Sequence, residues 1–162
     1  METMVSLEQW QGLVKAIVEA ESPLLTAGTL LVGKNLDALN ESLLDEQIRD
    51  GVMMAFLTGK WINDGEEFKE ILTNPSAPNM DVVEAGVGFL KALTRTNAEN
   101  TYAAWAMAAY MYWWCGLPIH ADSCVLEALE LNPNYSLAVL IDEALEVNLP
   151  SPIHSSLQSL VS

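Results

Sequence analysis

Three groups of residues have side chains that could do chemistry. Cys115, His120 and Cys124 lie close in sequence, with His154 further on. Thiolates and imidazoles are zinc ligands, but a zinc site wants about four of them at recognised spacings. This spacing fits none. The two cysteines read instead as buried free thiols on two helices facing a common turn. A disulfide is not expected without secretion.

Gly28-Thr29-Leu30-Leu31-Val32-Gly33-Lys34-Asn35 approaches the phosphate-loop pattern. Asn35 stands where that loop needs a hydroxyl for Mg²⁺, the interior is apolar, and no strand pattern precedes it. Glu66, Glu67 and Glu70 offer carboxylates. Neither His120 nor His154 has the Glu three residues earlier that a di-metal bundle uses, so these acids read as a solvated face. With two histidines and no nucleophile set beside a base, the sequence supplies no catalytic residue, no metal site and no cofactor.

The elements around these residues are helical. Ser6 and Gln9 form a capping-box pair, and Trp10, Leu13, Val14, Ile17 and Val18 share one face. Pro23 ends that helix and suits the first turn of the next. Residues 24–36 are apolar and contain Gly28 and Gly33, which leaves their boundaries open. Asn40 or Ser42 is the expected cap of a helix to about Leu57, with Leu43, Leu44, Ile48, Val52, Met53 and Phe56 as its stripe and Gly59 as its stop. Asn63-Asp64-Gly65 reads as a turn, followed by a short helix with Phe68, Ile71 and Leu72. Further helices are expected over 80–94, 98–115, 119–131 and 135–147. Ala, Leu, Met and Glu dominate, and no run alternates as a strand would. The expected fold is all-α, a compact multi-helix bundle of about seven to nine helices.

The chain has 162 residues, half of them hydrophobic, which suits one helical domain over 1–150. Asn74-Pro75-Ser76-Ala77-Pro78 is its clearest punctuation, a loop or a subdomain break over 74–79. Pro150 and Pro152 begin a Ser-rich tail over 151–162, expected to fray.

The formal net charge is −15. Residues 96–162 carry seven acidic side chains and no basic one. Such a surface excludes nucleic acid and anionic membranes as partners and suits a basic protein. It also serves solubility. The uncharged run 102–119 is interrupted by Gly116 and Pro118, and its 14 residues before Gly116 are too few to span a bilayer. Residues 1–10 hold Glu2 and Glu8 and no basic residue, so no secretory leader is expected and the expected location is cytoplasmic.

When Pro133 is set on the closing proline of a 34-residue tetratricopeptide repeat, Trp105 takes its tryptophan position and Tyr112 its tyrosine position. Ala109, Ala121 and Ala128 fall on its small positions, Gly116 on its turn, and Val125 replaces its second aromatic. Residues 102–135 therefore resemble one tetratricopeptide-like hairpin in the C-terminal half, a single copy and not an array. The first helix of this hairpin is apolar on every side, which predicts that it is central and buried all round. On that reading Trp113 and Trp114 are both core. Trp105, Tyr112, Trp113 and Trp114 are the candidate packing or interaction residues.

The stretches Ala103-Ala104-Trp105-Ala106, Ala128-Leu129-Glu130-Leu131-Asn132-Pro133-Asn134-Tyr135-Ser136-Leu137-Ala138 and Leu149-Pro150, with Ile48-Arg49-Asp50 upstream, resemble an actinobacterial family, domain-of-unknown-function family 4192. The likeness covers about residues 45–150 and is strongest after 100. Family members are usually longer, with a region before this one. The resemblance implies the cytoplasm of an actinobacterium and no mechanism. The function expected is a non-enzymatic helical module for protein–protein interaction, with an unknown, basic partner or a second copy of the chain. The alternatives are a helical bundle that binds a small molecule or acts as an enzyme, and an acidic decoy of a basic nucleic-acid-binding protein.

Overall fold

A computed structural model describes residues 4–62 and 64–153. Among these residues the chain is all-helical and has no strand. The helices are α1 (Leu7–Val18), α2 (Pro23–Leu31), α3 (Leu36–Ser42), α4 (Glu46–Thr58), α5 (Gly65–Thr73), α6 (Met80–Leu93), α7 (Tyr102–Trp114), α8 (Pro118–Leu131) and α9 (Ser136–Glu146). A 3-10 turn, Glu99–Thr101, leads into α7.

Local sequence sets most of the ends. The Ser6 hydroxyl accepts from the Gln9 backbone N–H, and the Gln9 side chain accepts from the Ser6 backbone N–H. Pro23 opens α2 in its first turn. Gly59 stops α4 in the left-handed conformation, φ 84°.

The expected cap of α4 is wrong. Asn40 and Ser42 lie inside α3, a separate helix that Asn35 caps. The cap of α4 is Asp45, whose carboxylate accepts from the backbone N–H groups of Gln47 and Ile48. Burial diverts the other two residues. The Asn40 side-chain amide donates to the carbonyls of Leu36 and Leu93 at 3.0 and 2.8 Å, which ties α3 to the end of α6. The Ser42 hydroxyl donates to Leu39 O and accepts from the Trp10 indole N–H, both at 2.6 Å. At the expected 63–65 turn, Asn63 lies outside the described residues. Asp64 caps α5, and Gly65 is already its first residue.

The centre of the molecule is α7. It packs on α8 most extensively, and on α6, α9 and α4. Ala103, Ala104, Ala106, Ala108 and Ala109 are buried beside Met107, Met111 and Trp114. Alanines bring helix backbones close, and the methionines fill what is left. The small positions of the α7–α8 pair, Ala109, Ala121 and Ala128, are fully buried, as is Val125.

The first helices form the other part of the same apolar cluster. The Trp10 ring meets Phe89 edge-on, with centroids 5.7 Å apart. After the 74–79 loop, α6 packs back on α1, α2, α3 and α4 as well as on α7.

Trp113 corrects the expectation that both adjacent tryptophans are core. Trp114 is 1% exposed, while Trp113 is only half-buried at the last turn of α7. Neighbours in a helix point about 100° apart, so both can be core only if packing closes every side of that turn. Trp113 instead turns toward the segment after α9, where its indole N–H donates to Leu149 O at 3.1 Å. Of the tail, residues 154–162 lie outside the described residues, and Ser151 is buried.

Trp114→Ala is expected to cost about 3–5 kcal/mol of unfolding free energy, and Trp113→Ala clearly less. Urea unfolding followed by circular dichroism checks the order; equal losses would contradict it. Two helix glycines should behave oppositely. A Cβ on Gly86 would lie 2.6 Å from the Phe56 ring, a buried side chain without room to retreat, so Gly86→Ala should lose about 1–3 kcal/mol. A Cβ on Gly12 meets nothing within 4 Å, so Gly12→Ala should gain up to about 1 kcal/mol.

Candidate functional site

In one of the clefts, charged side chains converge with an apolar floor. This cleft lies where α4 and α5 meet α7 and α9. Arg49, Asp50, Met53 and Met54 enter from α4, Phe68 from α5, Tyr110 from α7, and Leu137 and Leu140 from α9. Glu46, Asp64 and Ile62 complete the walls of a cavity of about 440 Å³.

Helical spacing explains the α4 wall. Asp50 lies four residues after Glu46, and Met53 and Met54 lie three and four residues after Asp50, so they share one side of the helix. Asp45 fixes where that helix begins. Tyr135 stands just before α9 and sits against the Tyr102 ring, edge-on at 4.8 Å.

Arg49 joins these elements. Its Nε donates to Asp50 Oδ1 at 2.9 Å, and its Nη1 donates to the Tyr135 hydroxyl at 3.2 Å. The guanidinium also lies 6.0 Å from the centre of the Tyr135 ring. Its side chain is 12% exposed, against 49% for Asp50. Among the described residues this is the one ion pair. Burial opposes the charge of Arg49, but the hydrogen bonds to Asp50 and Tyr135 outweigh it and hold the guanidinium above its ordinary value. Burial pushes the Tyr135 phenol up, and the bond from Arg49 partly offsets this. Burial, with a smaller push from the Asp50 carboxylate, raises Tyr110 to about 12. Both phenols are therefore neutral at physiological pH.

Three carboxylates, Glu46, Asp50 and Asp64, face one guanidinium that is already engaged. The field in the cleft is negative, and its floor is thioether, aromatic and aliphatic. Such a cleft attracts a cation with an apolar body.

The residues singled out by sequence go elsewhere. Tyr112 lies between Lys91, whose ammonium is 5.2 Å from its ring centre, and His120, at 5.1 Å between ring centres. Trp105 is half-buried against the core. Trp113 and Trp114 approach Tyr110, at 5.8 and 6.0 Å, so an aromatic cluster runs from the core to the cleft. Trp105 and Tyr112 are not part of it.

Cys115 is half-buried and Cys124 buried, both as free thiols. Burial raises Cys115 to about 11. Burial also raises Cys124, with Lys91 opposing and Glu127 adding to the shift. Neither is a ready thiolate. No three His, Cys, Asp or Glu side chains among the described residues sit together as metal ligands, and His154 lies outside those residues. Glu66, Glu67 and Glu70 are exposed on α5. The glycine-rich stretch is helix over residues 28–31, and Gly33 follows its end with φ 75°, so it forms no phosphate cradle. No helix among the described residues is long and apolar enough to cross a membrane.

The cleft was hard to find from sequence because Arg49 and Tyr135 are 86 positions apart. Its one local signal is the spacing of Asp50, Met53 and Met54. No family model, curated protein or solved structure significantly matches the chain.

The raised phenol gives a pH signature. Tyr110 keeps its proton to about pH 12 in the folded chain, but loses it near its ordinary value of 10.0 when unfolded. Its contribution is therefore full below pH 10 and lost as pH rises toward 12. Urea midpoints across this range should fall less steeply for Tyr110→Phe than for the natural chain. Identical slopes would show that the phenol is not desolvated.

Proposed function

We propose that the chain is a non-enzymatic interaction module that receives a basic, apolar-anchored helical segment of a partner protein in the cleft between α4, α5 and α9. The single observation that carries this reading is the pairing of an acidic rim with a methionine-rich, aromatic floor. Methionines adapt to varied side chains, and the rim steers cations inward. The net charge of −15 extends that steering over the whole surface. The resemblance of residues 45–150 to the actinobacterial family belongs to this proposal, since Arg49 and Asp50 of its Ile48-Arg49-Asp50 segment contribute to the cleft wall. The tetratricopeptide-like reading of α7 and α8 belongs to it too, because such hairpins serve as scaffolds for binding. A cytoplasmic location is part of the same proposal.

A second reading has one observation in its favour. A volume of about 440 Å³ lies within the roughly 300–1,000 Å³ of small-ligand sites, so an alkylammonium compound would use the same chemistry.

Titration with a synthetic amphipathic helix, leucine on one face and lysine on the other, tests the proposal. Tryptophan fluorescence reads it, because Trp113 and Trp114 lie near Tyr110. Binding should occur, weaken as salt rises, and vanish when glutamate replaces the peptide's lysines. Leu140→Ala should weaken it by about tenfold. That side chain is 57% exposed, so the fold is kept. Failure of the lysine peptide to bind, or indifference to Leu140→Ala, would refute the reading. Stabilisation by hexylammonium without peptide binding would favour the small cation.

A further inference from the structure

We propose that α5 is an autoinhibitory wall of the cleft, a poorly matched occupant that the basic helical segment pushes aside in order to seat. The inference rests on the cleft reading and adds how access to that cleft is controlled. Size raises the question. A helix is about 10 Å across, so ten residues of one fill on the order of 1,200 Å³. The cavity holds about 440 Å³. A helical segment therefore cannot lie between α5 and α9 unless a wall moves.

Of the walls, α5 is the one free to do so. Helices α4, α7 and α9 each bury several residues fully, whereas α5 buries none and packs extensively on no other helix. Among the described residues its hydrogen bonds are local. The Asp64 carboxylate accepts from the Glu66 backbone N–H, and the Thr73 hydroxyl donates to Lys69 O. The one ion pair, Arg49 with Asp50, does not involve it. Phe68 and Ile71, three residues apart, are its half-buried attachments, and Phe68 lines the cavity. Two anchors at that spacing are how a helix is laid in a groove. The chain is broken on both sides, by Gly59 with φ 84° before α5 and by Pro75 and Pro78 after it.

The charge of α5 has the wrong sign for this groove. Its nine residues hold Glu66, Glu67 and Glu70 against Lys69 alone, and Asp64 caps it. The anchored rim is Glu46 and Asp50. Two apolar side chains hold α5 in place while like charge opposes it. A lysine-bearing helix offers the same kind of anchor with attractive charge. Once displaced, nine residues are too few for a stable isolated helix, so α5 unwinds. Because it is tethered, α5 competes at high effective concentration. The affinity measured for a partner is reduced by the fraction of chains that are open.

Hydrogen exchange and peptide titration of the full chain test this. The amides of α5 should exchange far faster than those of α4 and α9, and should slow as salt rises, because screening relieves the repulsion between α5 and the rim. Phe68→Ala removes the main anchor and leaves the core intact, which an unaltered near-ultraviolet circular dichroism spectrum checks. It should tighten binding of the lysine–leucine helix by about fivefold. Ile71→Ala should act in the same direction, opposite to Leu140→Ala on the anchored wall. Weaker or unchanged binding by Phe68→Ala would overturn the proposal, because Phe68 would then be a fixed contact or none. So would α5 amides as protected as those of α4, or exchange that salt does not slow. A peptide that binds the natural chain while α5 stays protected defeats this inference and spares the cleft reading. A peptide that binds neither the natural chain nor Phe68→Ala defeats the cleft reading itself.

Discussion

The rest of the structure depends on α7 having no polar side. Its thirteen residues, Tyr-Ala-Ala-Trp-Ala-Met-Ala-Ala-Tyr-Met-Tyr-Trp-Trp, carry no charge and no apolar stripe distinct from a polar one. Such a helix is stable in water only when other helices cover it on every side. That demand brings α6, α8, α9 and α4 around it and excludes charged side chains from the middle of the molecule. The alanines set the spacing of this shell. The larger aromatics at its edges, Tyr110, Tyr112 and Trp113, fit only partly and reach the boundary. The polar contacts of α7 are therefore at its periphery, and the cleft forms at one of those edges.

Acidic groups excluded from the core must be tolerated at the surface, and few cations are present to pair with them. Arg49 is spent at a special place, largely buried between Asp50 and Tyr135. With Asp50 half-exposed, the pair gives little net stability, because the cost of burying the guanidinium offsets an attraction that water screens. What it does provide is direction. The fork of the guanidinium fixes Asp50 on one wall and Tyr135 on another, so α4 and α9 keep one relative placement. The cleft depends on that placement.

Local devices were legible in the sequence: the Ser6 box, the Pro23 start, the Gly59 stop and the lack of strand alternation. Each is decided within a few residues. The start of α4 was not legible for a physical reason. Asn35, Asn40, Ser42 and Asp45 all have side chains able to cap, and which of them does so depends on what is buried. Asn40 caps nothing because Leu93 supplies a distant carbonyl acceptor. Trp113 and Trp114 show the same limit. Composition correctly marked their helix as central, but not on which side its shell opens. The candidate cleft was less legible still, since Arg49, Tyr110 and Tyr135 come together only through the packing of three helices.

The cleft has one wall unlike the others. Helix α5 buries no residue fully and makes no extensive contact with another helix, and the 74–79 loop follows it. Phe68 and Ile71 are half-buried and are its main apolar attachment to the core. Elements with so little buried area open at low free-energy cost. The remaining walls, α4, α7 and α9, are anchored in the core and hold the carboxylates of Glu46 and Asp50 and the Tyr110 ring in place. The site thus combines walls anchored in the core with one, carrying Asp64 and Phe68, that is held by little buried surface. That division follows from the sequence. An uncharged, alanine-rich α7 draws the strongly apolar helices inward, while α5, with four charged residues among its nine, is left at the margin.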